Sequence, residues 1–112
     1  MRSYLTRDNN ELTRKKELTM VFQTTPNEVL FLGDTGDVKG RVRMSDPQDG
    51  VIDIVETYVS PNDRGLGFAG RLMGRAAAYI KDSGNRAKLS CSYAKSWFAK
   101  HPEYQDIVDD AS

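Results

Sequence analysis

A glycine-rich segment offers the clearest chemistry in this sequence of 112 residues. The segment Arg64–Gly70 has the sequence RGLGFAG and lies between a predicted strand and a predicted helix. Glycine lets the backbone turn sharply and approach another group without a Cβ atom in the way. The first amides of a helix have no internal partner, and the helix dipole favours negative charge at that end. The segment therefore predicts a phosphate-binding turn, although a tight turn without a ligand would need the same glycines.

Positive charge is concentrated around this segment. Sixteen Lys and Arg residues balance sixteen Asp and Glu residues overall, but residues 64–100 carry eight basic residues against the single acid Asp82. A basic block inside a neutral chain predicts a local anionic partner, whereas solvated helix faces would give the same pattern without a ligand. The neutral total charge argues against nucleic-acid binding, and we expect no nucleic-acid partner.

Length and composition set further limits. With 112 residues, 38% of them hydrophobic, the chain suits one domain with one modest core. No apolar run approaches the roughly 18 residues that a membrane helix needs, and the first residues show no signal-peptide pattern. One cysteine excludes an internal disulfide, and one cysteine with one histidine offers no set of zinc ligands. We therefore expect a cytoplasmic protein with neither a metal nor a membrane partner.

Strands joined by short turns are predicted in the first half of the chain. They span 28–32, 38–44 and 51–59, and the short loops between them favour an antiparallel meander. A further strand is predicted at 18–22 with a turn at 24–27, and residues 1–17 are expected to form a loose arm or a short helix. Strict alternation in the longest strand would put Val51, Asp53, Val55, Thr57 and Val59 on one side and Ile52, Ile54, Glu56 and Tyr58 on the other.

Helices around one more strand are predicted in the second half. Apolar residues at helical spacing indicate a long helix from Gly67 to Asp82, in which Gly70 and Gly74 point to close packing on the sheet or to a ligand across that face. Residues 86–91 predict a strand parallel to 51–59 through a right-handed crossover. Short helical segments follow at 94–100 and 103–108. The predicted fold class is α+β, with an antiparallel meander of about three to four strands, a central helix, one parallel strand and short C-terminal helices.

Two motifs resemble those of a known family. Arg64-x-x-Gly67-x-Ala69, preceded by the strand sequence ETYV at 56–59, resembles the [Gln/Arg]-x-x-Gly-x-[Gly/Ala] motif of the GNAT N-acetyltransferase superfamily. Cys-Ser-Tyr at 91–93 and Lys-His-Pro-Glu-Tyr at 100–104 are similar to motifs of a minimal GNAT-like branch. The resemblance spans roughly residues 27–109. It implies that residues 18–112 form a single GNAT-like domain.

The resemblance implies acetyl-coenzyme A as cosubstrate, bound in a cleft between the strands at 51–59 and 86–91. The pantetheine arm would pair with the backbone of Tyr58 and Val59 in the manner of a strand. Arg64 would stand at the mouth of the site, and the 3′-phosphate would lie toward the basic residues of 64–100. The pyrophosphate would lie on the backbone amides of Gly65, Leu66, Gly67, Phe68 and Ala69.

Three side chains are candidates for catalysis on the same resemblance. Acetyl transfer to an amine needs aligned reactants, a proton acceptor and stabilisation of charge on the thioester oxygen. Glu56 is the candidate base, although a structural carboxylate would give the same pattern, and Asp53 is a weaker candidate. Cys91 could accept the acetyl group, with or without His101 as its partner, or could be a small apolar core residue. Tyr93 could protonate the departing thiolate.

Two functions remain open from the sequence. The first is a small N-acetyltransferase that transfers an acetyl group from acetyl-CoA to an amine of a small molecule or a protein. The second is a non-catalytic or weakly active module that binds CoA or acetyl-CoA. A monomer or a weak homodimer is expected in either case.

Overall fold

Five strands form one mixed sheet in the structure, a computed structural model that describes residues 21–109. Strands β1 to β4 pair as an antiparallel meander, and β5 joins the edge of the sheet parallel to β4. The order across the sheet is β1-β2-β3-β4-β5. The α+β prediction is therefore confirmed. The strands are β1 (Val21–Thr25), β2 (Glu28–Leu32), β3 (Val38–Met44), β4 (Val51–Val59) and β5 (Arg86–Leu89).

Two α-helices and two short 3-10 helices complete the described residues. Helix α1 spans Phe68–Asp82 and α2 spans Ser92–Ala99, while the 3-10 helices span Pro61–Asp63 and Pro102–Ile107. The apolar stripe predicted for the long helix is buried from Phe68 onward, because its members recur every three to four residues. The buried residues of α1 are Phe68, Leu72, Met73, Ala76, Ala77 and Ile80.

The helices of residues 21–109 pack on one face of the sheet. Helix α1 contacts all five strands, and alternate strand residues such as Val29, Val42 and Ile52 are fully buried beneath it. The residues between them point to the other side, which no helix of residues 21–109 covers. We call this side the open face. It carries Leu30, Arg41, Arg43, Asp53, Glu56, Tyr58 and Lys88.

Strand β4 contains a β-bulge that interrupts its alternation. Arg43 pairs with Glu56, but the next residue, Met44, pairs with Ile54, so Val55 has no partner on β3. An extra residue of this kind bends the strand and changes which side chains share a face. The predicted two-sided alternation over 51–59 is therefore wrong beyond residue 54.

The bulge brings the second half of β4 into a new orientation. Thr57 pairs with the buried Val42, and Val59 packs against the core, so both lie on the side of α1. Glu56 and Tyr58 lie on the open face instead, as Asp53 does before the bulge. The core side is formed by Ile52 and Ile54 before the bulge and by Thr57 and Val59 after it.

The first strand continues further along the chain than predicted. Strand β1 covers Val21–Thr25 and so includes two residues of the predicted turn, because its ladder with β2 continues to Thr25 opposite Glu28. The parts of the predictions that concern residues 1–20 and 110–112 lie outside the described residues. No helix within 21–109 is both long and apolar enough to cross a membrane.

Candidate active site

Strands β4 and β5 separate half-way along β4. Their parallel pairing runs from Val51 opposite Arg86 to Ile54 opposite Leu89 and then ends. The amides of Ser90 and Cys91 both donate to the carbonyl oxygen of Ile54, at 3.2 and 3.0 Å. Beyond this point β4 keeps β3 as its neighbour but has lost β5. A fork therefore opens between the strands, with the edge of β4 exposed along one side.

The backbone polar groups along this edge belong to Thr57 and Val59. The amide of Ser60 donates to the Lys39 carbonyl at 2.7 Å, which fixes the phase of the antiparallel ladder with β3. Because backbone groups alternate between the two edges of a strand, those of Tyr58 point toward β3 and those of Thr57 and Val59 point into the fork. The Val59 carbonyl agrees with this assignment, since it accepts a hydrogen bond from Arg64 Nε at 2.9 Å across the fork. The predicted pairing of the pantetheine arm with the Tyr58 backbone is therefore wrong, because β3 already occupies that edge.

The glycine segment turns the chain from the end of β4 into α1. Gly65 and Gly67 adopt φ values of 81° and 83°, which glycine adopts without strain. Gly67 is the N-cap of α1 and supplies no side-chain hydrogen bond, and the first turn of the helix contains no acidic residue. A Cβ atom built on Gly65 or Gly67 would have no neighbour within 4 Å. The first amides of α1 therefore face open space without a capping group.

Two adjoining cavities occupy the fork. One, of about 240 Å³, lies against the glycine turn, and the other, of about 310 Å³, lies against the end of β4. We call the two together the fork groove, because both are lined by Val59, Arg64, Ala69 and Tyr93. The first cavity is also lined by Asp63, Gly65, Gly67, Phe68 and Gly70, and the second by Thr57 and Tyr58.

Most of the predicted coenzyme-binding residues line this groove. Leu66 is the exception, since its side chain is 63% exposed and lines neither cavity. Asp63 also lines the groove, although no sequence motif pointed to it. Its carboxylate accepts a hydrogen bond from Ser60 Oγ and lies 3.8 Å from Lys39 Nζ. The ion pair offsets the negative charge that Asp63 would otherwise present to an anion.

Tyr93 reaches the groove from the first turn of α2. Its hydroxyl oxygen would lie 3.6 Å from a Cβ atom built on Gly70, so it sits beside the first turn of α1. Partial burial raises the pKa of the phenol of Tyr93, which is 37% exposed, and the electrostatic effect of Cys91 acts in the same direction. The phenol is therefore neutral at ordinary pH and can donate a proton.

Cys91 joins α2 to the fork. It is the N-cap residue of α2, and its Sγ lies 3.4 Å from Thr57 Oγ1 on β4. The side chain is half-buried and packs against the core. Cys91 and Tyr93 thus approach the open edge of β4 from the same short helix.

The His101 side chain does not lie beside Cys91. The two residues stand at opposite ends of the eight-residue helix α2, which is about 12 Å long at 1.5 Å per residue. The His101 ring stacks on Trp97 with centroids 3.7 Å apart, and its Nδ1 lies 2.7 Å from the Trp97 carbonyl oxygen. The suggested cysteine–histidine pair is therefore wrong, because the imidazole has a structural role.

Gly70 and Gly74 serve the packing of α2 on α1. Cβ atoms built at these positions would lie 3.7 Å from Trp97 ring atoms. The prediction that this helix face packs closely on the sheet is wrong, because its neighbour is the Trp97 ring of α2. This contact holds α2, and with it Cys91 and Tyr93, against the start of α1.

Both candidate bases lie on the open face, on either side of the bulge. Glu56 is half-exposed and forms an ion pair with Arg43, with Nη1 3.3 Å from Oε1. The Asp53 carboxylate accepts hydrogen bonds from the hydroxyl and the amide of Ser90, at 2.8 and 3.3 Å. Neither carboxylate lines the fork groove. The two carboxylates therefore lie on the open face, whereas Cys91 and Tyr93 approach the end of the β4–β5 pairing from the fork.

Residues 29–107 match the sequence profile of the GCN5-related N-acetyl-transferase family. The chain belongs to this family. The superfamily resemblance seen in the glycine motif is thus confirmed. Among curated protein sequences, none matches this chain significantly.

Solved structures share the fold of this GCN5-related acetyltransferase. A GCN5-like protein from Staphylococcus aureus, solved by NMR, superposes with a TM-score of 0.63 at 20% identity, over 81% of this chain and 89% of that chain. N-acetylglutamate synthase from Neisseria gonorrhoeae, solved with coenzyme A and N-acetyl-glutamate, superposes with a TM-score of 0.55 at 12% identity. That match covers 95% of this chain and 30% of the synthase. At these identities the likeness concerns the fold.

Within residues 21–109, no three His, Cys, Asp or Glu side chains lie close enough together to hold a metal ion.

Proposed function

We propose that the chain transfers an acetyl group from acetyl-CoA to an amine acceptor. One observation carries the proposal: the open edge of β4 and the uncapped start of α1 border the same groove. Acetyl-CoA carries a thioester at one end of a long polar arm and a diphosphate at the other end. The open edge of β4 suits the polar arm, and the uncapped start of α1 suits the diphosphate.

The residues of the groove fit the coenzyme. The glycine turn would hold the pyrophosphate on the amides of residues 65–69, because these donors have no protein partner and lie at the positive end of the helix dipole. The outward backbone groups of Thr57 and Val59 would bind the amides of the pantetheine arm as a neighbouring strand does. Arg64 would give up its hydrogen bond to the Val59 carbonyl and donate to a phosphate oxygen instead. The bound coenzyme supplies an activated acetyl thioester.

Tyr93 is the proposed general acid. Its neutral phenol stands at the groove, where it would donate a proton to the sulfur as the carbon–sulfur bond breaks. A phenol that remains protonated at neutral pH suits this role. Solvent would return the proton to Tyr93 after product release.

Glu56 is the proposed general base, and it would act from the open face. An amine acceptor on that face would lose a proton to the carboxylate as its nitrogen forms the new bond to the acetyl carbon. The ion pair with Arg43 orients the Glu56 carboxylate. Asp53 stands on the same face across the bulge and is the other carboxylate that could accept this proton.

Cys91 offers a second route through a covalent intermediate. The Cys91 thiol would pass its proton to the leaving coenzyme sulfur as its own sulfur forms a thioester with the acetyl group. The amine would then attack that thioester and form the amide, and its released proton would restore the Cys91 thiol. The position of Sγ beside Thr57, at the edge that would bind the pantetheine arm, supports this role. Cys91→Ala separates the routes, because direct transfer survives the substitution and the covalent route does not.

The test is release of CoA thiol from acetyl-CoA, followed with a thiol reagent in the presence of a panel of small amines and peptides. We expect turnover that depends on the amine, and mass spectrometry should show the acceptor heavier by one acetyl group. Binding of CoA without turnover on any amine would contradict the enzyme assignment and indicate a coenzyme-binding module. Absence of both binding and turnover would also overturn the assignment of the groove.

A further inference from the structure

A third cavity lies on the open face, away from the fork groove. Its volume is about 240 Å³, as large as the cavity at the glycine turn. Polar side chains dominate its lining, and none of the lining residues borders the fork groove. The lining residues are Ser45, Gln48, Val51, Asp53 and Lys88.

This cavity begins where the fork begins. Asp53 immediately precedes Ile54, the last residue of β4 that pairs with β5. Its carboxylate is held by Ser90, whose next residue is Cys91 in the fork. The cavity and the groove therefore approach the same break in the sheet from opposite sides.

Hydrogen bonds fix the walls of the cavity. The Asp53 amide donates to Ser45 Oγ at 2.9 Å, and the Ser45 amide donates to the Asp53 carbonyl at 2.9 Å. Gln48 and Val51 exchange backbone hydrogen bonds of 2.9 and 3.0 Å across the loop between β3 and β4. A cavity with walls fixed in this way exists before any ligand binds.

Opposite charges line the cavity but form no ion pair with each other. Lys88 and Asp53 are paired residues on neighbouring strands, which lie about 4.8 Å apart. The Asp53 carboxylate nevertheless takes its hydrogen bonds from Ser90, and Lys88 forms no ion pair with any carboxylate of residues 21–109. Arg43, the nearby basic residue on β3, forms an ion pair with Glu56. The cavity therefore presents one ammonium and one carboxylate to a ligand.

We propose that this cavity binds the acceptor and that the acceptor is a small amine that also carries a carboxylate. Asp53 binds the amine at the end of the cavity next to the fork, and Lys88 binds the carboxylate. The assignment deepens the proposed function, because it names the class of substrate and the side from which it reaches the acetyl group. An amine without the carboxylate would leave Lys88 without a partner, so the site favours amino acids over simple amines.

A binding experiment tests the cavity without any turnover. The panel consists of the α-amino acids, each paired with its α-amide, and binding is followed by backbone amide shifts in NMR spectra of the full chain. We expect one or more amino acids to shift the amides around Asp53 and Lys88, with at least about tenfold weaker binding of the amide derivatives, the loss of one charged interaction. Shifts confined to other parts of the chain, or none at all, would overturn the proposal.

Two variants and a control sharpen the result. Lys88→Gln should remove the preference for the carboxylate form, raising its KM about tenfold without changing that of the amide or of acetyl-CoA. Asp53→Asn, which keeps an acceptor for Ser90, should weaken both forms alike. Lys100→Gln removes the same charge from the exposed end of α2, outside the cavity, and should leave the preference intact. A preference that survives Lys88→Gln would contradict the proposal.

Failure of the acceptor assignment differs from failure of the proposed function. Turnover on simple amines with no advantage for amino acids would overturn the acceptor assignment while the enzyme assignment stands. Amide shifts in the cavity without turnover on any amine would support the cavity as a binding site for amino acids and overturn acetyl transfer.

Discussion

The two halves of β4 have different neighbours. Before the bulge, residues 51–54 pair with β5 and bury Ile52 and Ile54 beneath α1. After it, residues 56–59 pair only with β3, and their other edge borders a groove. The first half builds the core, and the second half leaves backbone groups for a ligand. One extra residue, Val55, separates the two roles, so stability and binding should respond to different parts of one strand.

Loss of a core side chain from the first half should have the largest effect. Ile54→Ala should lower the free energy of unfolding by about 2–5 kcal/mol, because Ile54 is fully buried and its removal leaves a cavity. Val59→Ala in the second half should cost only about 1 kcal/mol, since Val59 is half-buried. Urea denaturation followed by circular dichroism measures both values. Similar losses at the two positions would contradict the division of β4 into two roles.

A negative charge at the start of α1 should abolish coenzyme binding without unfolding the domain. Ala69→Glu places a carboxylate in the fork groove, where it would compete with the diphosphate for the same amides. We expect CoA affinity to fall at least about 100-fold, while an acid in the first helical turn leaves stability unchanged or slightly raised. Calorimetric titration with CoA and urea denaturation measure the two effects.

Ala69→Gln is the matched control for that substitution, because it adds nearly the same bulk without the charge. It should weaken CoA binding much less than Ala69→Glu. Equal losses in the two variants would mean that bulk alone blocks the groove, and the anion-binding role of the first amides of α1 would be wrong.

Removal of one hydroxyl should separate chemistry from binding. Tyr93→Phe should lower kcat about 10-fold to 100-fold with little change in CoA affinity, because the ring still lines the groove but cannot donate a proton. Steady-state kinetics with the best amine of the panel gives kcat, and titration with CoA gives the affinity. An unchanged kcat would exclude Tyr93 as the general acid.

The same variant should change the response of stability to alkaline pH. The pKa of Tyr93 is raised on folding, so the folded state favours the protonated phenol. Its contribution to stability is therefore present below about pH 10, the ordinary pKa of tyrosine, and is lost as the pH rises through the higher folded value. The wild type should lose more stability than Tyr93→Phe on titration above that pH. Parallel losses in the two proteins would contradict the burial of the phenol.

The smallest effect is expected for the ion pair on the open face. Arg43→Gln should change the free energy of unfolding by less than about 1 kcal/mol, because both partners are half-exposed. A rise in KM for the amine in this variant would instead point to a role for Glu56 in the reaction. A stability loss above that limit would show that the pair is structural.

Hydrophobic periodicity predicted most of the fold. Strands β2, β3 and β4 have the expected bounds, and helix α1 begins one residue later than expected, at Phe68. The glycine turn was also predictable, since only glycine adopts the positive φ values of Gly65 and Gly67 without strain. These elements form most of the fork groove.

Long-range pairing accounts for what the sequence did not predict. The bulge at Val55 depends on the register between β3 and β4, which periodicity within one strand does not contain. The roles of His101 and Trp97 follow from how α2 packs on α1, and the ion pair of Asp63 depends on Lys39 from another strand. The cavity at Asp53 and Lys88 likewise exists only after β5 has paired with β4.

Titration of the isotopically labelled chain with CoA, followed by backbone amide NMR, tests the central claim most directly. We expect large, saturable shifts for the amides of the glycine turn and for Thr57 and Val59, with smaller changes on the open face. Saturation without shifts at the glycine turn, or an absence of any shift at millimolar CoA, would contradict it.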